Sequence, residues 1–137
     1  MKLKLLRNNK GQALAETALI LPVLLLVVLA ALTVGLMIYQ KMVVVLASSQ
    51  AARVGASIYN DPSLTADEKT AKINTTAYFY LGNGLSGTDR SVDIWSDGTI
   101  IKVKVTYNFK FIFPLVGEIV GHRTTIPIIY ESSYLIQ

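Results

Sequence analysis

Cysteine is absent from this chain, and histidine and tryptophan occur once each, as His122 and Trp95. Without a thiol there is neither a disulfide framework nor a thiolate metal site. A lone imidazole beside Arg123, with no second ligand or evident nucleophile partner, reads as a surface loop residue rather than a catalytic one. No Gly-Lys-Ser or Gly-Lys-Thr occurs, which excludes a phosphate-loop nucleotidase. Charge is missing too, and over a long stretch: from Thr17 to Gln40 there is no Asp, Glu, Lys or Arg. As a helix rising 1.5 Å per residue, those 24 positions are about 36 Å long, enough to cross a hydrocarbon core of about 30 Å with some tilt.

What is present is ordered around that run. Lys2, Lys4, Arg7 and Lys10 precede Gly11, no acid does, and Glu16 follows five residues after the glycine. These four cations account for the basic character of the chain (pI about 9.4). Of the 13 basic residues, those that remain balance the 9 acids, so a basic nucleic-acid face is not supported. Lys and Arg flanking a span stay cytoplasmic, which predicts a cytoplasmic N-terminus and an extracytoplasmic domain. The mean hydropathy of +0.45 belongs largely to the span. About a hundred residues beyond it make one small domain.

Between Gln12 and Asn60 only Pro22 interrupts helical sequence, early enough to kink rather than break, so one long helix is predicted. Its second half places Met42, Val45, Leu46, Ser49, Ala52, Ala56 and Tyr59 at spacings of three and four, a stripe suited to packing on a sheet. Asn60-Asp-Pro-Ser63 is a turn, and Thr65-Ala-Asp-Glu68 is a capping box opening a second helix from about Ala66 to Leu81. Gly82-Asn-Gly84 supplies its stop, and Ile73, Ala77, Tyr80 and Leu81 its inner face.

From Ser91 the period changes to two. Val92 and Ile94 alternate with Asp93 and Trp95, and Ser96-Asp-Gly98 makes a hairpin. The next strand puts Ile101, Val103, Val105, Tyr107, Phe109, Phe111 and Phe113 on one face, with Lys102, Lys104, Thr106, Asn108 and Lys110 on the other. These rings read as core rather than as a stacking platform, because the lysines point away from them. A loop through Pro114, Gly117 and His122 follows, in which Leu115, Val116, Ile119 and Val120 form either an exposed patch or a cap on the sheet. The last strand alternates Ile126, Ile128, Tyr130 and Tyr134 against Pro127, Ile129, Glu131 and Ser133, with Pro127 arguing for an edge.

Two apparent motifs carry no chemistry. Gly82-Asn-Gly-Leu-Ser-Gly87 matches a dinucleotide fingerprint in letters but follows a helix, where the working version follows a strand and opens a helix. Asp89, Asp93 and Asp97 would align on a helix, but in strand and turn context they scatter, without the alternation of a calcium loop. No cofactor or metal is expected.

Gly11 and Glu16 are the sharpest signal. A carboxylate inside an apolar helix is costly and by default functional. A cut after Gly11 creates an α-amino group at Gln12, a cation with which a glutamate one turn on can pair across neighbouring helices and set their register. Gly11 followed by Gln-Ala-Leu-Ala-Glu16 matches the recognition pattern of prepilin peptidases, and the run from Gly11 through Pro22 to Leu26 resembles the N-terminus of TadE-like minor pilins of the tight-adherence (Tad/Flp) pilus system. Gln50-Ala-Ala-Arg53-Val-Gly55-Ala56 resembles that family's segment after the span, and Val103 to Ile128 follows its strand, loop and strand pattern. Thr17 stands where an aromatic is usual and Val54 where the family often has an acid.

The resemblance implies a structural, non-enzymatic protein with no small-molecule substrate. It is held in the cytoplasmic (inner) membrane, cut by a prepilin peptidase between Gly11 and Gln12, and needed to start or build a thin adhesive filament. Its implied partners are the major pilin, other minor pilins, membrane lipid and the inner-membrane assembly platform with its ATPase. The expected architecture is α+β: a basic leader (1–11), a transmembrane and assembly helix (12–40), and an extracytoplasmic domain (41–137) in which a short second helix and three or four antiparallel strands pack on the long helix. The alternative is an uncleaved, signal-anchored binding or sensory domain in which Gly11 and Glu16 are coincidental.

Overall fold

The computed structural model describes residues 9–85, 89–111, 118, 121 and 124–136. Helix α1 runs Asn9–Ile58 without a break and passes through Pro22. It ends within a turn of the predicted point, where the Asp61 N–H donates to the Ile58 carbonyl at 3.2 Å. Asp61 then closes an Asx turn, its Oδ1 accepting from the Ser63 hydroxyl (2.6 Å) and the Ser63 N–H (2.9 Å). Those two bonds, the hydroxyl's first, hold the Asp61 carboxyl below its ordinary value.

Helix α2 spans Ala66–Gly84 and opens on the expected capping box. Glu68 N–H donates to the Thr65 hydroxyl at 3.3 Å, and Glu68 Oε2 accepts from the Thr65 N–H at 2.8 Å. The Thr65 N–H, more than its hydroxyl, holds the Glu68 carboxyl low. The predicted stop at Gly82-Asn-Gly84 is corrected: the helix continues to Gly84, and Leu85 leaves it in extended conformation, its N–H donating to the Leu81 carbonyl at 3.0 Å. Gly84 serves packing instead, since a Cβ there would stand 2.6 Å from Val43 Cγ1.

Strands β1 (Arg90–Ser96), β2 (Ile100–Lys110) and β3 (Thr125–Leu135) form an antiparallel sheet in the order β1-β2-β3. That is three strands among the described residues, as the alternation predicts. In the β1–β2 hairpin, Asp97 Oδ1 accepts from the N–H groups of Ile100 (2.8 Å) and Thr99 (3.0 Å), and Gly98 adopts φ +91°. The same two donors, Ile100 first, depress the Asp97 carboxyl. Pairing sets Ile94 opposite Val103 and Val105 opposite Tyr130. β3 is an edge strand, the position in which Pro127 is tolerated.

The inner face of β2, namely Ile101, Val103, Val105, Tyr107 and Phe109, is buried against α1, in one core cluster with Ile73, Ala77 and Leu81 of α2, which itself packs on α1. Tyr107 and Phe109 are core as the alternation predicts, while Phe111, just past the end of β2, is half-buried against them. The stripe predicted on α1 is corrected in phase. Ala52 and Ala56 are buried, but Met42 and Leu46 are exposed, and the seam is made by Val44, Ala47, Ser48, Ala51, Ala52, Gly55 and Ala56.

Side-chain size explains the choice. Around α1 apolar residues occur on every side, so the sheet settles where the side chains are smallest and the backbones approach closest. Ser48 Oγ donates to the Val103 carbonyl at 2.6 Å, and the hydroxyls of Ser49 and Ser132 meet at 3.0 Å. A Cβ on Gly55 would come within 2.5 Å of Ile101 Cδ1. On β3, Ile128 and Ser132 are buried, while Tyr130 and Tyr134, which alternate with them on the same face of this edge strand, stay exposed.

Candidate functional site

The residues singled out at the N-terminus all lie on α1, so the Gly11–Gln12 peptide is helical. Gly11 and Glu16 are exposed, separated by five residues, or about 7.5 Å along the axis. A Cβ on Gly11 would meet nothing within 4 Å, so the fold of the single chain does not require glycine there. Every residue from Ala13 to Val28 is exposed, and the helix holds a candidate membrane span of mean hydropathy 2.9 within Ala13–Ile58. A single N-terminal apolar helix of this kind fits a single-pass membrane anchor.

A cleft of about 310 Å³ opens between α2 and β1, walled by Tyr59, Lys69, Thr70, Ile73, Ile94 and Trp95. Its lysine donates to the Tyr59 carbonyl at 2.6 Å, and the Ser96 hydroxyl donates to Tyr59 Oη at 3.3 Å. Thr70 donates to the Ala66 carbonyl of its own helix at 3.0 Å. Among the described residues, no nucleophile faces a base on those walls.

The three aspartates scatter as the strand reading requires. Asp89 pairs with Lys110 at 3.2 Å, Asp93 sits opposite Lys104, and Asp97 holds the hairpin. Among the described residues no group of three or more His, Asp or Glu is placed to hold a metal ion. The leader up to Asn8, Gly87, Phe113, Pro114, Gly117, the patch of Leu115, Val116, Ile119 and Val120, and the pair His122–Arg123 lie outside the described residues.

Ser49 lay on the predicted stripe and does meet the sheet, whereas Ser48, Gly55, Gly84 and Ser132 escaped the sequence reading as positioning residues. Their only signal was small size at helical or strand spacing, which does not by itself name a partner.

The architecture defines a class: an α+β protein in which one helix both carries a candidate membrane span and forms the floor of the domain. Residues 11–53 match the model of the TadE-like protein family. The match begins at the glycine, covers the candidate span and ends within the small-residue seam; it is a likeness, over this part of the chain, to a structural and non-enzymatic family, and is consistent with a protein of the Tad pilus system. No curated protein and no solved structure matches the chain.

Proposed function

We propose that the protein is a minor pilin of the Tad/Flp type, cut by a prepilin peptidase between Gly11 and Gln12 and required to initiate or build the filament. The observation that carries the reading is the start of the family match at Gly11, a glycine for which the fold itself has no steric need. Glu16, exposed on the same helix, is the residue that pairs with the new α-amino group of a neighbouring pilin and fixes register. The partners are the prepilin peptidase, the major and other minor pilins, and the inner-membrane platform with its ATPase. The N-terminus is cytoplasmic before cleavage and the domain extracytoplasmic, as the basic leader dictates.

The test is the N-terminal sequence of the membrane-extracted protein from cells with and without an active prepilin peptidase. A start at Gln12 that depends on the peptidase is the expected result. A start at Met1 in both would make the chain a signal-anchored domain and retire the processing and register roles of Gly11 and Glu16.

A further inference from the structure

The surface of α1 that is fitted to protein and the surface that is fitted to lipid do not meet at one level of the helix. On one face, cover begins early: Leu29 is half-buried, Thr33 is only 3% exposed, Met37 packs on the core cluster, and Gln40 and Val44 continue the line at spacings of three and four. Thr33 lies inside the uncharged run, seven residues or about 10 Å below its end at Gln40. On the opposite face the apolar exposed surface continues well past that end. Ile38, Tyr39, Met42 and Leu46 are all exposed, and Ile38, Lys41, Met42, Val45, Leu46 and Ser49 bound an open groove of about 450 Å³. The boundary therefore runs obliquely, from Thr33 on the covered side to Leu46 on the open side, 13 residues or about 20 Å along the axis.

An upright helix would set these two faces in conflict. With Gln40 at the bilayer surface, the part of the domain covering Thr33 would be sunk in hydrocarbon while Met42 and Leu46 stood in water. The uncharged run is also about 6 Å longer than a 30 Å core, an excess that helices absorb by tilting. The direction of tilt follows from the faces and from the interfacial anchors. Tyr39 lies on the open side, and Lys41 borders the groove with an aliphatic stem that can reach a lipid phosphate.

We propose that α1 crosses the membrane tilted toward its open face, so that lipid at the headgroup and acyl boundary covers Ile38, Met42 and Leu46 while the domain rides on the opposite, raised face. The occupant of the groove is lipid, because the groove continues the exposed apolar surface of the span without a break. The inference rests on α1 being the membrane anchor.

The absence of cysteine allows a direct test on the full chain. Single variants Val27→Cys, Ile38→Cys, Met42→Cys, Leu46→Cys and Arg53→Cys, all at exposed positions, are labelled with an environment-sensitive fluorophore and reconstituted in vesicles of phosphatidylcholine and phosphatidylglycerol. Nitroxide-bearing lipid and aqueous iodide serve as quenchers. Labels at 27, 38 and 42 should be quenched by lipid and shielded from iodide roughly fivefold relative to position 53, with position 46 intermediate. Iodide access at 42 equal to that at 53, with 27 still lipid-quenched, overturns the tilt alone; loss of lipid quenching at 27 overturns the anchor reading beneath it. Shielding at 42 that vanishes on about tenfold dilution into lipid assigns the face to a second copy of the chain, and this also overturns the proposal.

Discussion

From Ala13 to Val28, α1 carries leucine, isoleucine and valine on every side, all exposed; from Val44 to Ala56 the same unbroken helix turns alanine, serine and glycine inward, and the sheet lies on them. The backbone is the same in both halves, so the difference is one of side-chain volume and what it meets. Lipid chains conform to large, mobile side chains and ask for no particular shape. A β-sheet does not conform, and the two backbones approach only where the helix surface is nearly bare.

The contrast is broken most forcefully by exchanging the two kinds of residue. Ala51 is fully buried at the seam, whereas Leu25 is 56% exposed. Ala51→Leu inserts three heavy atoms into a packed interface and should destabilise the domain by about 3 kcal/mol. The reverse exchange, Leu25→Ala, should leave domain stability within about 0.5 kcal/mol. Urea unfolding of the full chain in detergent, followed by emission of Trp95, measures both. Equal effects would mean that the seam is not selected by size.

Acid should separate the halves next. Asp61, Glu68 and Asp97 all have depressed carboxyl values in the folded domain, each through hydrogen bonds that favour the charged form, and all three lie beyond the span. A group whose folded value is lowered adds stability that is present above its ordinary value, 4.5 for Glu68 and 3.8 for the aspartates, and is lost as pH falls through the folded value. Domain stability should therefore be flat above about pH 5 and decline below it. The far-ultraviolet helix signal of the apolar segment should persist. Thr65→Ala, which removes half of the capping box, should cost about 1 kcal/mol at neutral pH. Loss of the α1 helix at the same pH as the Trp95 transition would show that the two halves are not independent.

Element type was legible throughout because its signals are local. The capping box at Thr65 and Glu68, the Asp97-Gly98 turn and the alternation of β2 as far as Lys110 each depend on neighbours a few residues away, and each formed as read. Phase and termination were less legible because they depend on partners distant in sequence. Met42 and Leu46 satisfy helical periodicity as well as Val44 and Ala47 do; Val103 and Ser132, more than fifty residues on, decide between them. Gly84 likewise reads as a stop until Val43 is known to lie against it. The pattern from Gly11 to Glu16 is local too, but it is not a folding signal: a Cβ on Gly11 would meet nothing within 4 Å, so the fold of this chain does not require glycine there.

The finest form of the comparison uses two glycines on one helix. A Cβ on Gly35 would meet nothing within 4 Å, while a Cβ on Gly55 would stand 2.5 Å from Ile101 Cδ1 and 3.0 Å from Ile73 Cδ1. Both contacts are with the ends of rotatable chains, so Gly55→Ala should be accommodated by a shift of two isoleucines, at about 1 kcal/mol of domain stability. Gly35→Ala lacks that contact and gains helix propensity, so the urea midpoint of the domain should stay unchanged or rise, by less than about 1 kcal/mol. Opposite signs at chemically identical substitutions, 20 positions apart, would isolate contact with the sheet from every intrinsic property of glycine. A loss at Gly35 as large as that at Gly55 would instead mean that a close neighbour also meets the helix at this level, and it would remove the distinction between its exposed apolar half and its sheet-packed half.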